Sequence, residues 1–246
     1  MTNAPYTVFQ TSDELFFFLA SEFERYSHCA EIQHISLSGG STPKGLFTYI
    51  VNSNFKVSIK WSNLHFWWGD ERCVGFSDAQ SNYGEAKRLL FDHINIPINN
   101  LHAMPVDECD TTKAYENASM VYSNEMIKNL AMNGQFPKFD WVLLGVGDDG
   151  HTASLFPNVT DLNTERFALL VLKPNTNEYR ISLSAKTIRA AKRISYLVTG
   201  NSKAKVISDI ILEKGDFNTY PAYLVRTESG CTEYLLDQQA SSLLAS

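Results

Sequence analysis

Basic charge, cysteine pairs and long apolar runs are what this sequence lacks. Its 246 residues carry 21 Lys and Arg against 27 Asp and Glu, a formal net charge of −6. A general nucleic-acid or anionic-membrane surface would need a basic excess, so neither partner is expected and any anionic ligand must be held by a local site. Cys29, Cys73, Cys109 and Cys231 are far apart, with no C-x-x-C pair; this argues against a disulfide framework or a thiolate metal centre and reads as reduced core thiols. The apolar stretch 15–20 is too short to span a bilayer, and the segment from Met1 to Tyr6 has no basic start or apolar run, so a cytoplasmic protein is expected. There is no H-E-x-x-H and no calcium-loop spacing of acids, which leaves a reaction without metal or cofactor.

With 44% hydrophobic and 20% charged residues, the chain suits a globular fold. No repeat, low-complexity tract or Pro/Ser-rich tether divides it, so residues 1–246 read as one domain. Apolar runs of strand length recur at 35–37, 64–68, 141–146, 168–172, 181–183, 196–198 and 234–236. Continuous apolar runs fit parallel strands covered on both faces better than strands with one wet face. Between them lie helical patterns at 43–51, 82–94, 112–131, 185–191 and 202–213. Thr11 followed by Glu14 reads as a capping box that opens a first helix ahead of the first strand. Strand and helix in alternation predict an α/β fold, a mostly parallel sheet with helices on both faces.

Four segments carry residues suited to chemistry. In Ser38-Gly39-Gly40-Ser41-Thr42-Pro43 a strand runs into a helix start, where glycines allow close approach, hydroxyls donate and free backbone N–H groups favour an anion. A tight turn is the plain alternative. Trp68-Gly-Asp70-Glu71-Arg72 follows a strand end; Arg72 can pair with a phosphate or carboxylate and Asp70 can orient a hydroxyl, unless the three charges form a solvated ion pair. Thr199-Gly-Asn-Ser-Lys203 places an ammonium one turn inside a helix, in reach of a phosphate or merely on the surface.

The fourth segment, Gly145-Val-Gly147-Asp148-Asp149-Gly150-His151, formally matches the dinucleotide fingerprint G-x-G-x-x-G. Two carboxylates beside a pyrophosphate would repel it, and Pro157 comes too soon for a long helix, so that match is rejected. What remains is a glycine-permissive turn presenting His151, whose side chain exchanges protons near neutral pH, with Asp149 placed to hold its tautomer. His28, His34, His65, His93 and His102 have no such setting and read as incidental.

Taken in order, Ser38-Gly-Gly-Ser-Thr-Pro43, Trp68-Gly-Asp-Glu-Arg72, Ser81-Asn-Tyr83, the run from Gly145 through Gly-His-Thr-Ala-Ser-Leu-Phe-Pro157, Arg180-Ile-Ser-Leu-Ser184 and Thr199-Gly-Asn-Ser-Lys-Ala204 closely resemble the 6-phosphogluconolactonase family. The resemblance implies a Rossmann-like fold shared with glucosamine-6-phosphate deaminase and ribose-5-phosphate isomerase. It also implies hydrolysis of 6-phospho-D-glucono-1,5-lactone to 6-phosphogluconate, the second step of the oxidative pentose phosphate pathway. Carried over, Ser38, Gly39, Gly40, Ser41, Thr42 and Lys203 would cradle the phosphate, and Arg72 would bind phosphate or polarise the lactone. His151 would act on water and Asp149 would orient it, while Arg180 matches a substrate-side position without a fixed role. A sugar-phosphate isomerase or deaminase of the same superfamily, and a non-catalytic sugar-phosphate sensor, are the competing readings. The deaminases carry Tyr where Arg72 stands and an acid after the histidine that this chain lacks. The expected partner is a small sugar-phosphate lactone, with the chain a monomer or weak homo-oligomer.

Overall fold

The structure is a computed structural model that describes residues 5–228 and 230–244. Residues 1–4, read above for a leader, lie outside the described residues. From the N-terminal side, β1 (Tyr6–Phe9) leads to α1 (Ser12–Ser27), β2 (Gln33–Leu37), α2 (Ser41–Val51), the short α3 (Phe55–Ser58), β3 (Leu64–Trp68) and β4 (Asp70–Arg72). Next come α4 (Asn82–Leu89), β5 (Leu101–His102), α5 (Thr112–Asn129), a small hairpin of β6 (Met132–Asn133) and β7 (Phe136–Pro137), and β8 (Trp141–Leu144). β9 (Ala168–Leu172), β10 (Tyr179–Leu183), α6 (Ala185–Arg189), β11 (Arg193–Val198), α7 (Ala204–Leu212), α8 (Pro221–Leu224) and β12 (Cys231–Asp237) follow.

Seven strands form one sheet in the order β1-β12-β11-β8-β2-β3-β5, every pair parallel. The chain builds β2, β3 and β5 outward on one side, then returns to lay down β8, β11 and β12 on the other. Strand order therefore reverses between β2 and β8, and ligands of open parallel sheets bind beyond the strand C-termini at such a switch point. Both faces are covered, which is why these strands are apolar throughout: Ile35, Phe66, Trp141, Tyr196 and Tyr234 are all fully buried. Helix α1 seals one face with Leu15, Leu19 and Phe23; the Phe23 ring meets Phe66 and Trp141 edge-on at 5.8 and 5.5 Å. Burying each such side chain contributes about 1.5–3 kcal/mol. No helix among the described residues is long and apolar enough to cross a membrane.

Several expectations need correction. A strand, β1, precedes the first helix; it is an edge strand with little burial, so it carries no apolar run to read. The Thr11 hydroxyl does accept the Glu14 N–H at 3.2 Å, but the Glu14 carboxylate reaches back to the N–H of Gln10 rather than Thr11. Strands β9 and β10 are not part of the parallel sheet: with β4 they form a three-stranded antiparallel sheet in the order β4-β10-β9. Residues 173–178 between them suffice for a hairpin and are too few for a parallel crossover. The helices expected to run to 94, 131, 191 and 213 stop at Leu89, Asn129, Arg189 and Leu212. The four thiols are free, but none is a core residue: three are half-buried and Cys231 is exposed.

Three histidines set aside as incidental, His34 on β2, His65 on β3 and His102 on β5, meet across neighbouring strands. His65 Nδ1 lies 2.9 Å from His102 Nε2, His102 Nδ1 lies 2.5 Å from Glu125, and Trp67 Nε1 donates to His34 Nδ1 at 3.1 Å. Burial pushes the His34 and His65 imidazoles down to about 4, with neighbouring imidazoles adding to the effect. The His102 ring stacks on Trp67 and on His65, on the β2-β3-β5 side of the sheet.

Candidate active site

Four strand ends supply the site. After β2, Gly40 sits at φ +103 and caps α2 without a side-chain hydrogen bond, so the first-turn N–H groups of the helix lack a side-chain acceptor. At Gly39 a Cβ would fall 1.8 Å from Asn82 Oδ1, so a side chain there would have to displace Asn82 from its bond to the Asp70 carbonyl. Thr42 and Thr199 share a 2.8 Å hydroxyl hydrogen bond that ties α2 to the end of β11.

After β3 the chain continues as β4, where side chains alternate sides. Asp70, buried, accepts the Ser154 hydroxyl at 2.7 Å, and its carbonyl oxygen accepts Asn82 Nδ2 at 2.8 Å. Glu71 turns the other way and is fully buried. It accepts the N–H groups of Arg72, Asn82 and Tyr83 at 2.7–2.8 Å and the Ser81 hydroxyl at 3.1 Å, so it fixes the start of α4 to β4. Burial pushes its carboxyl up to about 7 in spite of these hydrogen bonds. Arg72 donates Nη1 to the Gln80 carbonyl at 2.6 Å, and its Nε is buried without a partner.

Arg180 on β10 is the cross-strand partner of Arg72. Among the described residues its Nε is likewise buried without a partner, and the acid paired with it, Glu178, stands at 3.4 Å on the exposed side. Two guanidinium groups thus share one wall, and among the described residues no buried carboxylate is bonded to either, an arrangement that suits an anion.

After β8 the glycine-rich turn is closed by Gly147 N–H to the His151 carbonyl at 2.8 Å and by Gly150 N–H to the Gly147 carbonyl at 3.0 Å. A Cβ at Gly147 would lie 2.0 Å from His151 Nδ1, so the imidazole needs glycine beneath it. His151 Nδ1 lies 2.5 Å from Asp149 Oδ1, which leaves Nε2 for proton transfer. Burial would raise the Asp149 carboxyl, but the charge of His151 and the hydrogen bonds from its ring and N–H together hold it below its ordinary value. Ala153 adopts a left-handed φ of 48°, a strained conformation worth about 1–3 kcal/mol that clusters at functional sites.

Lys203 does not sit one turn inside a helix. It ends a 3-10 turn and serves as the N-cap residue of α7, with Nζ donating to Asp148 at 2.6 Å. Of the expected residues, Ser38, Gly39, Gly40, Asp70, Arg72, His151, Arg180 and Lys203 line one cleft of about 190 Å³. Ser41 faces an adjoining lobe of about 230 Å³ between α2 and α4, Thr42 a smaller one of about 160 Å³, and Asp149 stands behind His151. Sequence reading missed the roles of Asn82 and Ser154. The first lies in the Ser81-Asn-Tyr83 block and the second in the histidine run; only their contacts across the cleft reveal what they hold.

The sequence profile described as Glucosamine-6-phosphate isomerases/6-phosphogluconolactonase matches residues 10–234. The chain belongs to this family. Its relatives in the family include the 6-phosphogluconolactonase of Haemophilus influenzae, 43% identical over 242 residues that cover 97% of this chain and 99% of that one. A solved structure described as devB protein matches with a TM-score of 0.93 and 42% identity, over 98% of this chain and 100% of the other. The 6-phosphogluconolactonase of Trypanosoma brucei matches with a TM-score of 0.86 and 25% identity, over 99% of both chains. Family membership and the parallel α/β sheet agree with what the motifs implied.

Proposed function

We propose that the protein hydrolyses 6-phospho-D-glucono-1,5-lactone to 6-phospho-D-gluconate. The observation that carries this reading is the placement of His151, held at Nδ1 by Asp149, in the same cleft as three cations and the open N-terminus of α2. A lactone is an activated ester whose hydrolysis needs a general base for water, a donor for the carbonyl oxygen and an acid for the leaving ring oxygen. A phosphate anchored at one end fixes the ring for that attack.

In this mechanism the α2 turn, Lys203 and Arg180 hold the phosphate and Asp70 orients a ring hydroxyl. His151 Nε2 takes a proton from water as its oxygen bonds to the acyl carbon, and Arg72 balances the charge on the carbonyl oxygen. Collapse breaks the ring C–O bond, and the imidazolium returns its proton to the departing oxygen. Asp149 keeps Nδ1 protonated throughout. No carboxylate follows His151 in Thr152-Ala-Ser-Leu-Phe156 to serve an aldose–ketose isomerisation. Four free thiols fit the reducing cytoplasm proposed for this enzyme, and the chain is proposed to act as a monomer or weak homo-oligomer.

The test is a coupled assay on freshly made lactone, with spontaneous opening subtracted. His151→Ala is expected to lower turnover by about 10²- to 10⁴-fold, the usual worth of general acid–base help, with the circular dichroism spectrum unchanged. Full activity in that variant would refute the assignment.

A further inference from the structure

The turn after β8 holds an acid that the mechanism above does not use. Asp148 precedes Asp149 directly, yet the two carboxylates diverge: Asp149 goes to the imidazole and Asp148 to Lys203 Nζ at 2.6 Å. Lys203 lines the cleft, and its side chain is only 26% exposed, whereas that of Asp148 is 69% exposed. The cation is therefore part of the wall and the acid approaches it from the solvent side. Among the described residues Lys203 has no other carboxylate partner. Gly147 precedes Asp148, and the hydrogen bonds that close the turn run through the backbone of Gly147, Gly150 and His151, none through the Asp148 side chain. Its side chain can leave Lys203 for water without disturbing the imidazole.

We propose that Asp148 is the resident counter-ion of Lys203, an internal competitor that the substrate's phosphate must displace, and so a residue that sets affinity for phosphorylated sugars. The inference rests on the assignment of Lys203 to the phosphate. A phosphate monoester carries a charge near −2 at neutral pH against −1 for the carboxylate, and offers three acceptor oxygens. It wins the ammonium, but the displaced carboxylate stays close and repels it. A sugar without phosphate does not compete for Lys203 and is indifferent to Asp148. The acid thus lowers affinity for substrate and product alike, which favours release of the phosphorylated product.

The experiment compares wild type, Asp148→Asn, Asp148→Glu and Lys203→Met on 6-phosphogluconolactone, on unphosphorylated glucono-1,5-lactone and with inorganic phosphate as inhibitor. An exposed ion pair is worth at most a few-fold in equilibrium. For Asp148→Asn, KM for the phosphorylated lactone is expected to fall about two- to fivefold, with the inhibition constant for phosphate falling in the same ratio and kcat moving less than twofold. Asp148→Glu is expected to restore wild-type values, and kcat/KM for the unphosphorylated lactone to stay put in both. An unchanged or higher KM in Asp148→Asn, or an equal change on both lactones, overturns the proposal. Lys203→Met separates the two levels. If it raises KM for the phosphorylated lactone while Asp148→Asn leaves it alone, only the counter-ion role falls; if it leaves KM unmoved, the phosphate assignment of Lys203 falls as well.

Discussion

The Arg72–Arg180 pair shows how single residues are tuned here. Among the described residues each guanidinium has a buried Nε with no acceptor, and the carboxylate next to Arg72 in sequence, Glu71, is turned away and used on backbone N–H groups. Two like charges on neighbouring strands disfavour one another. In the proposed mechanism both gain a negatively charged partner, the phosphate for Arg180 and the developing oxyanion for Arg72. Arg180→Ala is therefore expected to raise KM for the phosphorylated lactone by roughly 10- to 100-fold, the worth of a charge-assisted hydrogen bond to a buried group. kcat should change much less, since the phosphate is held alike in ground and transition states. Steady-state kinetics check both numbers. A pocket that could accept this substitution without loss of affinity would not be a phosphate site.

At the scale of elements, the short strand β4 is the part that brings Asp70 and Arg72 to the cleft, and it is secured at both ends. On one side Tyr122, fully buried on α5, accepts the Trp68 N–H at 2.9 Å and donates to the Trp68 carbonyl at 3.1 Å, just before Gly69 turns the chain into β4. Burial holds this phenol far above its ordinary range. Tyr122→Phe leaves a buried N–H and C=O unpaired, so urea unfolding should show a loss of about 1–3 kcal/mol. On the other side Glu71 binds β4 to α4. Its folded carboxyl lies at about 7, above the ordinary value of 4.5. The native state thus holds the proton more tightly than the unfolded chain does, and stability is fully present below pH 4.5 and is lost as pH rises through 7. The loss is on the order of 3 kcal/mol at most. Urea midpoints measured from pH 5 to 8 are expected to fall for the wild type, and Glu71→Gln to remove that slope. The Trp68-to-Arg72 charges were legible as a functional block, yet their pairing with β10 was not. Register between strands separated by a hundred residues has no local signature.

For the molecule as a whole, the parallel sheet, the antiparallel β4-β10-β9 sheet and their helices share one connected core of buried side chains. We expect a single cooperative unfolding transition by fluorescence and circular dichroism alike, with 6-phosphogluconate at about 100 times its dissociation constant adding about 2.7 kcal/mol. Two separate transitions, or no stabilisation by product, would contradict the single unit or the site. Sequence alone determined the α/β class and the glycine turns, and it singled out His151, Asp149, Arg72 and Lys203 as the residues proposed for the site. Each of these is read from residues a few positions apart: apolar runs that need cover on both faces, and glycines clustered with polar side chains where a strand ends. Only the tertiary structure decided which way the two aspartates of one turn face, that Arg180 stands opposite Arg72, and that Asn82 and Ser154 hold Asp70. It also decided that three histidines read as incidental, His34, His65 and His102, meet across β2, β3 and β5. Those outcomes depend on strand order and register, set by the burial of the whole core and not by any short stretch of chain.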